Sequence, residues 1–153
     1  MRFCAAVCLL LIFLATPLAA QNEGIRVERP NLVGGELGGK ALLYCMNYER
    51  YFTNNVGIGV GVMGFGFSDG AVGLFPLYGV LALGNIHSFY LAGGGDYAAG
   101  TANWDELEST WIGIASIGYM YQSPNGFFVR PTVNMLFKDS FLILPGIAFG
   151  GSF

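Results

Sequence analysis

Three observations predict an all-β fold, an antiparallel up-and-down transmembrane β-barrel of about eight strands. Apolar residues recur at alternate positions over long stretches, glycine fills 24 of 153 positions, and only 11% of residues are charged. A soluble domain carries about 25% charged residues, because water must wet its surface. Here 54% of residues are apolar, so much of the surface faces something other than water. Period-two alternation marks strands rather than helices. In a membrane barrel the apolar face of each strand meets lipid and the polar face lines the lumen.

Residues 1–20 read as a cleavable secretory signal. Arg2 supplies a positive start, Ala5 to Ala15 is almost wholly apolar, and Pro17-Leu18-Ala19-Ala20 offers small residues for cleavage after Ala20. Residues 21–153 then make one barrel domain. A first strand is expected near Ile25–Gly34. In the second, Leu42, Tyr44, Met46, Tyr48 and Phe52 oppose Cys45, Asn47 and Glu49. After Thr53-Asn54-Asn55 turns the chain, Val56, Ile58, Val60 and Val62 alternate with glycines. Weaker strands near Gly73–Leu83 and Ser88–Tyr97 meet at Gly84-Asn85-Ile86-His87. Trp111 to Gln122 places Trp111, Ile117, Tyr119 and Tyr121 on one face and Ser116, Gly118 and Gln122 on the other. Ser123-Pro124-Asn125-Gly126 is a tight turn. The last two strands alternate most clearly: Phe127 to Phe137 carries Arg130, Thr132 and Asn134 on one face, and Phe141 to Phe153 carries its bulk at odd positions.

A membrane helix is the structural rival, because Val56–Leu83 is long enough to span as one. Its glycine density, Pro76 and period-two first half favour strands. From a periplasmic N-terminus, the three turns on the periplasmic side are short, and the longest connection, Ala98–Thr110, falls outside. This orientation matches the short periplasmic turns and longer external loops of such barrels. It also gathers Tyr48, Phe52, Tyr119, Tyr121, Phe127, Phe149 and Phe153 at one rim and Trp111, Phe137 and Phe141 at the other, as aromatic girdles would be.

With Cys4 and Cys8 in the signal, Cys45 remains alone, a small residue inside a packed barrel. The net charge of −3 and scattered basic residues argue against nucleic acid, which needs a clustered basic face. The lone His87 falls in a turn without a nucleophile beside it, so no catalytic residue is assigned. The residues indicate neither a cofactor nor a metal site. One constellation stands out. Glu49 and Arg130 should both point inward near the periplasmic end of a lumen narrow enough to be filled by side chains. Buried charges need partners, and Asn47, Thr132 and Asn134 complete a polar network. It either plugs the barrel or gates protons or small ions. Arg50 points outward and snorkels to headgroups.

The stretch Gly38-Gly39-Lys40-Ala41-Leu42-Leu43-Tyr44-Cys45-Met46-Asn47-Tyr48-Glu49-Arg50, followed by Tyr51-Phe52-Thr53-Asn54-Asn55-Val56-Gly57, resembles small outer-membrane β-barrel proteins common in Bacteroidota. Cys45 replaces a serine of that pattern. The resemblance implies an eight-stranded barrel related in architecture to the transmembrane domain of outer-membrane protein A, in the bacterial outer membrane and surrounded by its lipid. Terminal Phe153 resembles the assembly signal read by the barrel-assembly machinery. No appended periplasmic domain is expected after it.

Four functions are compatible with these residues. The favoured one is a non-enzymatic barrel with a closed or nearly closed lumen, serving envelope structure or display of external loops. The alternative is a narrow porin-like channel for ions or small solutes. A lipid-modifying enzyme fits the fold but lacks a credible site. Partner binding would use the long external connection, where Trp104, Asp105, Glu106 and Glu108 form a contact patch.

Overall fold

The computed structural model describes residues 24–68, 70–102 and 106–153. A short helix α1 (Ile25–Glu28) precedes eight strands: β1 (Asn31–Gly38), β2 (Tyr44–Tyr51), β3 (Val56–Phe67), β4 (Gly70–Gly84), β5 (His87–Ala102), β6 (Glu106–Gln122), β7 (Phe127–Phe137) and β8 (Phe141–Ser152). Each strand pairs antiparallel with its sequence neighbours, and β8 closes on β1. The result is a closed up-and-down barrel, which leaves no sheet edge along the paired wall. Val56–Leu83, long enough for a membrane helix, instead forms β3 and most of β4.

Each ladder keeps a constant register. The path of paired residues runs through Val33, Tyr48, Val60, Leu77, Gly95, Gly113, Phe137 and Phe141. Extending the β8–β1 register, it re-enters the line of β1 at position 43, ten residues beyond its start at position 33. Such stagger forces the strands to tilt, and eight tilted strands enclose an interior that side chains can fill. Outward faces carry Val33, Tyr48, Ile58, Leu77, Phe89, Ile117, Val133 and Phe149, all exposed. Inward faces carry the buried polar residues. This inside-out pattern belongs to a transmembrane barrel. The aromatic rims fall where the alternation placed them: Tyr48, Phe52, Tyr119, Phe127, Phe149 and Phe153 lie exposed toward the end bearing the termini, and Trp111, Phe137 and Phe141 toward the other.

Two expectations are corrected. The segment Ile25–Gly34 is not one strand. Ile25–Glu28 is a helical turn, and β1 starts only after Pro30. Pro30 has no amide to donate to a ladder, and Arg26 finds its partners inside the barrel mouth rather than in a wall. Nor is Ala98–Thr110 a long loop. β5 and β6 stay paired from Ala98↔Thr110 up to Ala102↔Glu106. On one side β4 stays paired with β5 up to Gly70↔Ala102, and on the other β6 extends past the last β7 pair, Gly113↔Phe137, so the segment is a continuation of the strands. Of the residues assigned to a contact patch, Trp104 and Asp105 lie outside the described residues. Glu106 and Glu108 belong to the backbone of β6, where each is paired in the ladder. The three turns at the other end are short, as their residues indicated.

Candidate functional site

Constant register fixes which side chains share the lumen. Inward positions are even-numbered on β1 and on β4–β8, and odd-numbered on β2 and β3. Glu49 and Arg130 therefore meet, with Arg130 Nη1 2.7 Å from Glu49 Oε2 and both side chains at most 2% exposed. Two phenols that the residue pattern did not single out complete the carboxylate's shell. Tyr78 and Tyr90 each donate to Glu49 Oε1, at 2.9 Å and 3.1 Å. The Arg130 guanidinium also lies 4.1 Å from the centre of the Tyr90 ring, so its apolar face meets a π-surface rather than empty lumen.

The other predicted members divide into two groups. Asn47 joins a second ion pair: it donates to Glu36 Oε2 at 3.0 Å, which also receives Lys40 Nζ at 2.9 Å. Buried Cys45 donates to Asn47 Oδ1. Asn134 accepts from Ser116 at 2.6 Å and donates to Thr132 at 2.9 Å, forming a third polar group on the opposite wall. Lys40 links the two ion pairs, since its ammonium lies 4.9 Å from the Tyr78 ring centre and 5.7 Å from that of Tyr90.

Lys40 reaches this depth because the β1–β2 connection folds inward. Gly38 and Gly39 adopt positive φ, which glycine reaches without steric cost. The turn Gly39–Ala41 that follows is wholly buried. A side chain on Gly39 would run into Glu36, so this descent requires glycine. The Gly38-Gly39 pair was visible in the sequence. Its inward direction was not, because the first strand was placed too early for Glu36 to be seen facing the lumen.

The opposite mouth, beside the termini, is filled by α1. Arg26 is fully buried. Its guanidinium donates to the carbonyl oxygens of Asn54, Gly84 and Asn85 and to Ser88 Oγ, and it lies 5.4 Å from the Tyr51 ring centre. Ile25 N donates to Asn85 Oδ1 and Arg26 N to Asn54 Oδ1. The two asparagine-bearing turns are thus a socket for one arginine. Burial lowers the Arg26 pKa from its ordinary value, with Tyr51 opposing.

On the outer wall, Arg50 bonds Asn31 Oδ1 at 2.9 Å and Tyr48 donates to the same oxygen, so Arg50 is tied to the rim of the wall. His87 opens β5, exposed, with Nδ1 against the Tyr119 hydroxyl. Phe153 is exposed, and its backbone pairs with Asn31. Among the described residues, no three His, Cys, Asp or Glu side chains gather as a metal site.

The fold and lumen define the class: an eight-stranded transmembrane β-barrel whose interior is occupied by its own side chains. No protein-family model and no curated sequence matches the chain. Among solved structures it is similar to the N-terminal β-barrel domain of Pseudomonas aeruginosa OprF, with a TM-score of 0.64 and 15% identity, covering 82% of this chain and 98% of that one. It also aligns with Ail, the attachment invasion locus protein of Yersinia pestis, at 14% identity and a TM-score of 0.44, covering 80% and 92%.

Proposed function

We propose that this chain is a non-enzymatic barrel of the bacterial outer membrane, sealed along its lumen, which serves envelope structure or displays the strand ends that project past the membrane. One observation carries the reading: the lumen is occupied at three levels by buried charged side chains, two of them in ion pairs. Arg26 fills the mouth beside the termini, Glu49–Arg130 bridges the middle, and Lys40–Glu36 lies on the turn that enters from the other end. The termini and short turns face the periplasm, and outer-membrane lipid surrounds the apolar wall. Terminal Phe153, exposed on the last strand, is the feature offered to the barrel-assembly machinery.

The test is single-channel recording of the refolded barrel in planar bilayers, with a boiled-versus-unboiled gel to show that it is folded. A folded barrel without conductance steps is the expected result. Reproducible steps in the wild type, altered in size by Glu49 or Arg130 substitution, would replace this reading with a narrow channel for ions or small solutes.

A further inference from the structure

The wall is lowest over β1 and β2, the two shortest strands. β8 pairs with β1 only as far as Gly38↔Gly146, although it stays paired with β7 up to Phe137↔Phe141. On the far side, β3 pairs with β2 only as far as Met46↔Val62, but with β4 up to Phe67↔Gly70. Above the β1–β2 hairpin the wall therefore has a gap, with an edge of β8 on one side and an edge of β3 on the other. The gap is two strands wide, about 14 Å from edge to edge at the usual strand spacing. Its sill is apolar. After Gly39–Ala41 has turned into the lumen, the hairpin ends in Leu42 and Leu43, both exposed.

The backbone phase of β8 shows what that edge offers. Asn31 and Phe153 exchange both backbone hydrogen bonds, and Ser152 N donates to Gly126 O on the β7 side. Odd-numbered residues of β8 therefore aim their N–H and C=O toward β1, and even-numbered ones toward β7, a phase that the constant registers carry up the strand. Above Gly146 the odd residues are Pro145, Ile143 and Phe141. Pro145 has no N–H to leave unpaired, a device that blunts sheet edges. Ile143 and Phe141 aim two N–H and two C=O groups into the gap, where no backbone partner meets them among the described residues. The β3 edge is partly satisfied within the molecule, because the Tyr44 hydroxyl donates to the Gly64 carbonyl. On β8 the segment is exposed, Phe141 by 61%, Leu142 by 44% and Ile143 by 55%. Phe141 belongs to the outer aromatic rim, and Ile143 lies one outward position nearer the membrane centre. A bare strand edge is not tolerated against lipid, whose chains neither donate nor accept.

We propose that this gap is a docking site for an extended strand of another protein. The incoming strand pairs antiparallel with residues 141–145, in the line of β1, and so continues the β1–β8 ladder upward. The unpaired backbone groups select a polypeptide rather than a lipid chain. Both faces of the β8 segment are apolar, with Phe141 and Ile143 outward and Leu142 and Leu144 inward, so the incoming strand carries apolar side chains on both of its faces. A second copy of this chain does not serve. Two upright barrels would meet first through the β1–β2 walls below the gap, at about 10 Å, twice the spacing of paired strands.

The test uses the protein purified from membranes into lipid nanodiscs, with isotope-labelled backbone amides, and the probe peptide Lys-Lys-Val-Leu-Val-Thr-Val-Lys-Lys. The peptide should bind saturably, shift the Phe141 and Ile143 amide resonances and slow their hydrogen exchange. Leu142 and Leu144, whose amides are aimed at β7, should change little. A counterpart peptide N-methylated at its five central residues is more apolar but cannot donate, and it should not bind. Ile143→Pro removes one edge donor in the phase that Pro145 already occupies, and should weaken the peptide about tenfold, the loss of one hydrogen bond. Equal binding of the two peptides would mean a merely apolar contact and would overturn the proposal without need of any variant. So would the absence of saturable shifts, shifts that fall on Gly64 and Gly66 instead of Phe141 and Ile143, or an unchanged affinity in Ile143→Pro.

Discussion

Glu49 accepts three hydrogen bonds at once, and that is what allows a carboxylate inside a narrow barrel. Arg130 neutralises it, Tyr78 and Tyr90 occupy its second oxygen, and Tyr90 also covers the guanidinium. Removing one partner of a buried pair strands the other, at a cost of about 3–5 kcal/mol, whereas removing both charges together costs far less. Glu49→Ala should therefore lower the unfolding free energy by about 3–5 kcal/mol, read as a shift in urea midpoint in lipid vesicles. The double variant Glu49→Gln with Arg130→Met keeps an acceptor for the phenols and leaves no lone charge. It should recover more than half of that loss. A double variant as unstable as the sum of its singles would show that the two residues act independently.

At the scale of elements, β3 shows how one strand serves two environments. Its inward glycines in the lower wall make room for side chains arriving from other strands. A β-carbon on Gly59 would lie 2.3 Å from the Tyr78 ring, whereas one on Gly64 would meet nothing within 4 Å. Gly59→Ala should displace Tyr78 from Glu49 and cost about 1–3 kcal/mol, while Gly64→Ala should stay within about 0.5 kcal/mol of wild type. Thermal unfolding of the two variants side by side checks the contrast. The α1 segment makes a similar point with charge. Arg26→Ala leaves three backbone carbonyls without their donor, each worth up to about 1–3 kcal/mol if it stays dry. Water entering the opened mouth offsets part of this. The expected result is faster hydrogen exchange at Val27 and Arg29, whose amides close the helical turn onto Gly24 and Ile25, with β7 and β8 unaffected. The sequence made β7 and β8 legible, because the outward face of each stays free of polar side chains along its length while the middle of the inward face turns polar or small. It also paired Glu49 with Arg130, since alternation and strand order alone place them. It hid α1, because four residues are too few to show a period. It hid Tyr78 and Tyr90, because β4 and β5 carry apolar residues on both faces and lose the contrast on which alternation depends. The upper hairpin of β5 and β6 reads as a loop in the sequence because small and polar residues suit a loop as well as a paired strand beyond the apolar wall.

For the whole molecule, strand length against membrane thickness decides what is immersed. A tilted strand crosses the hydrocarbon in about 9–11 residues. β7 and β8, with 11 and 12 residues, match that span, and β1 and β2, with eight each, fall short of it. β4, β5 and β6 run to 15, 16 and 17 residues, so the surplus must stand clear of the membrane on one side of the barrel. The surplus lies at the end away from the termini, where the outward residues of the tall strands become Ala71, Gly73 and Ala99 in place of the large apolar residues below. Lipid contact should therefore end near Phe75 and Trp111, and arginine substitution can locate that boundary, because an arginine facing lipid costs about 2–4 kcal/mol at mid-depth and about 0–1 near the interface. Val133 is outward, 45% exposed, and midway along β7. Gly66 is outward on the tall side, with free space around it. Val133→Arg should destabilise the barrel in vesicles by about 2–4 kcal/mol, and Gly66→Arg by less than about 1 kcal/mol. Equal penalties at the two sites would mean that the tall strands are immersed as deeply as β7.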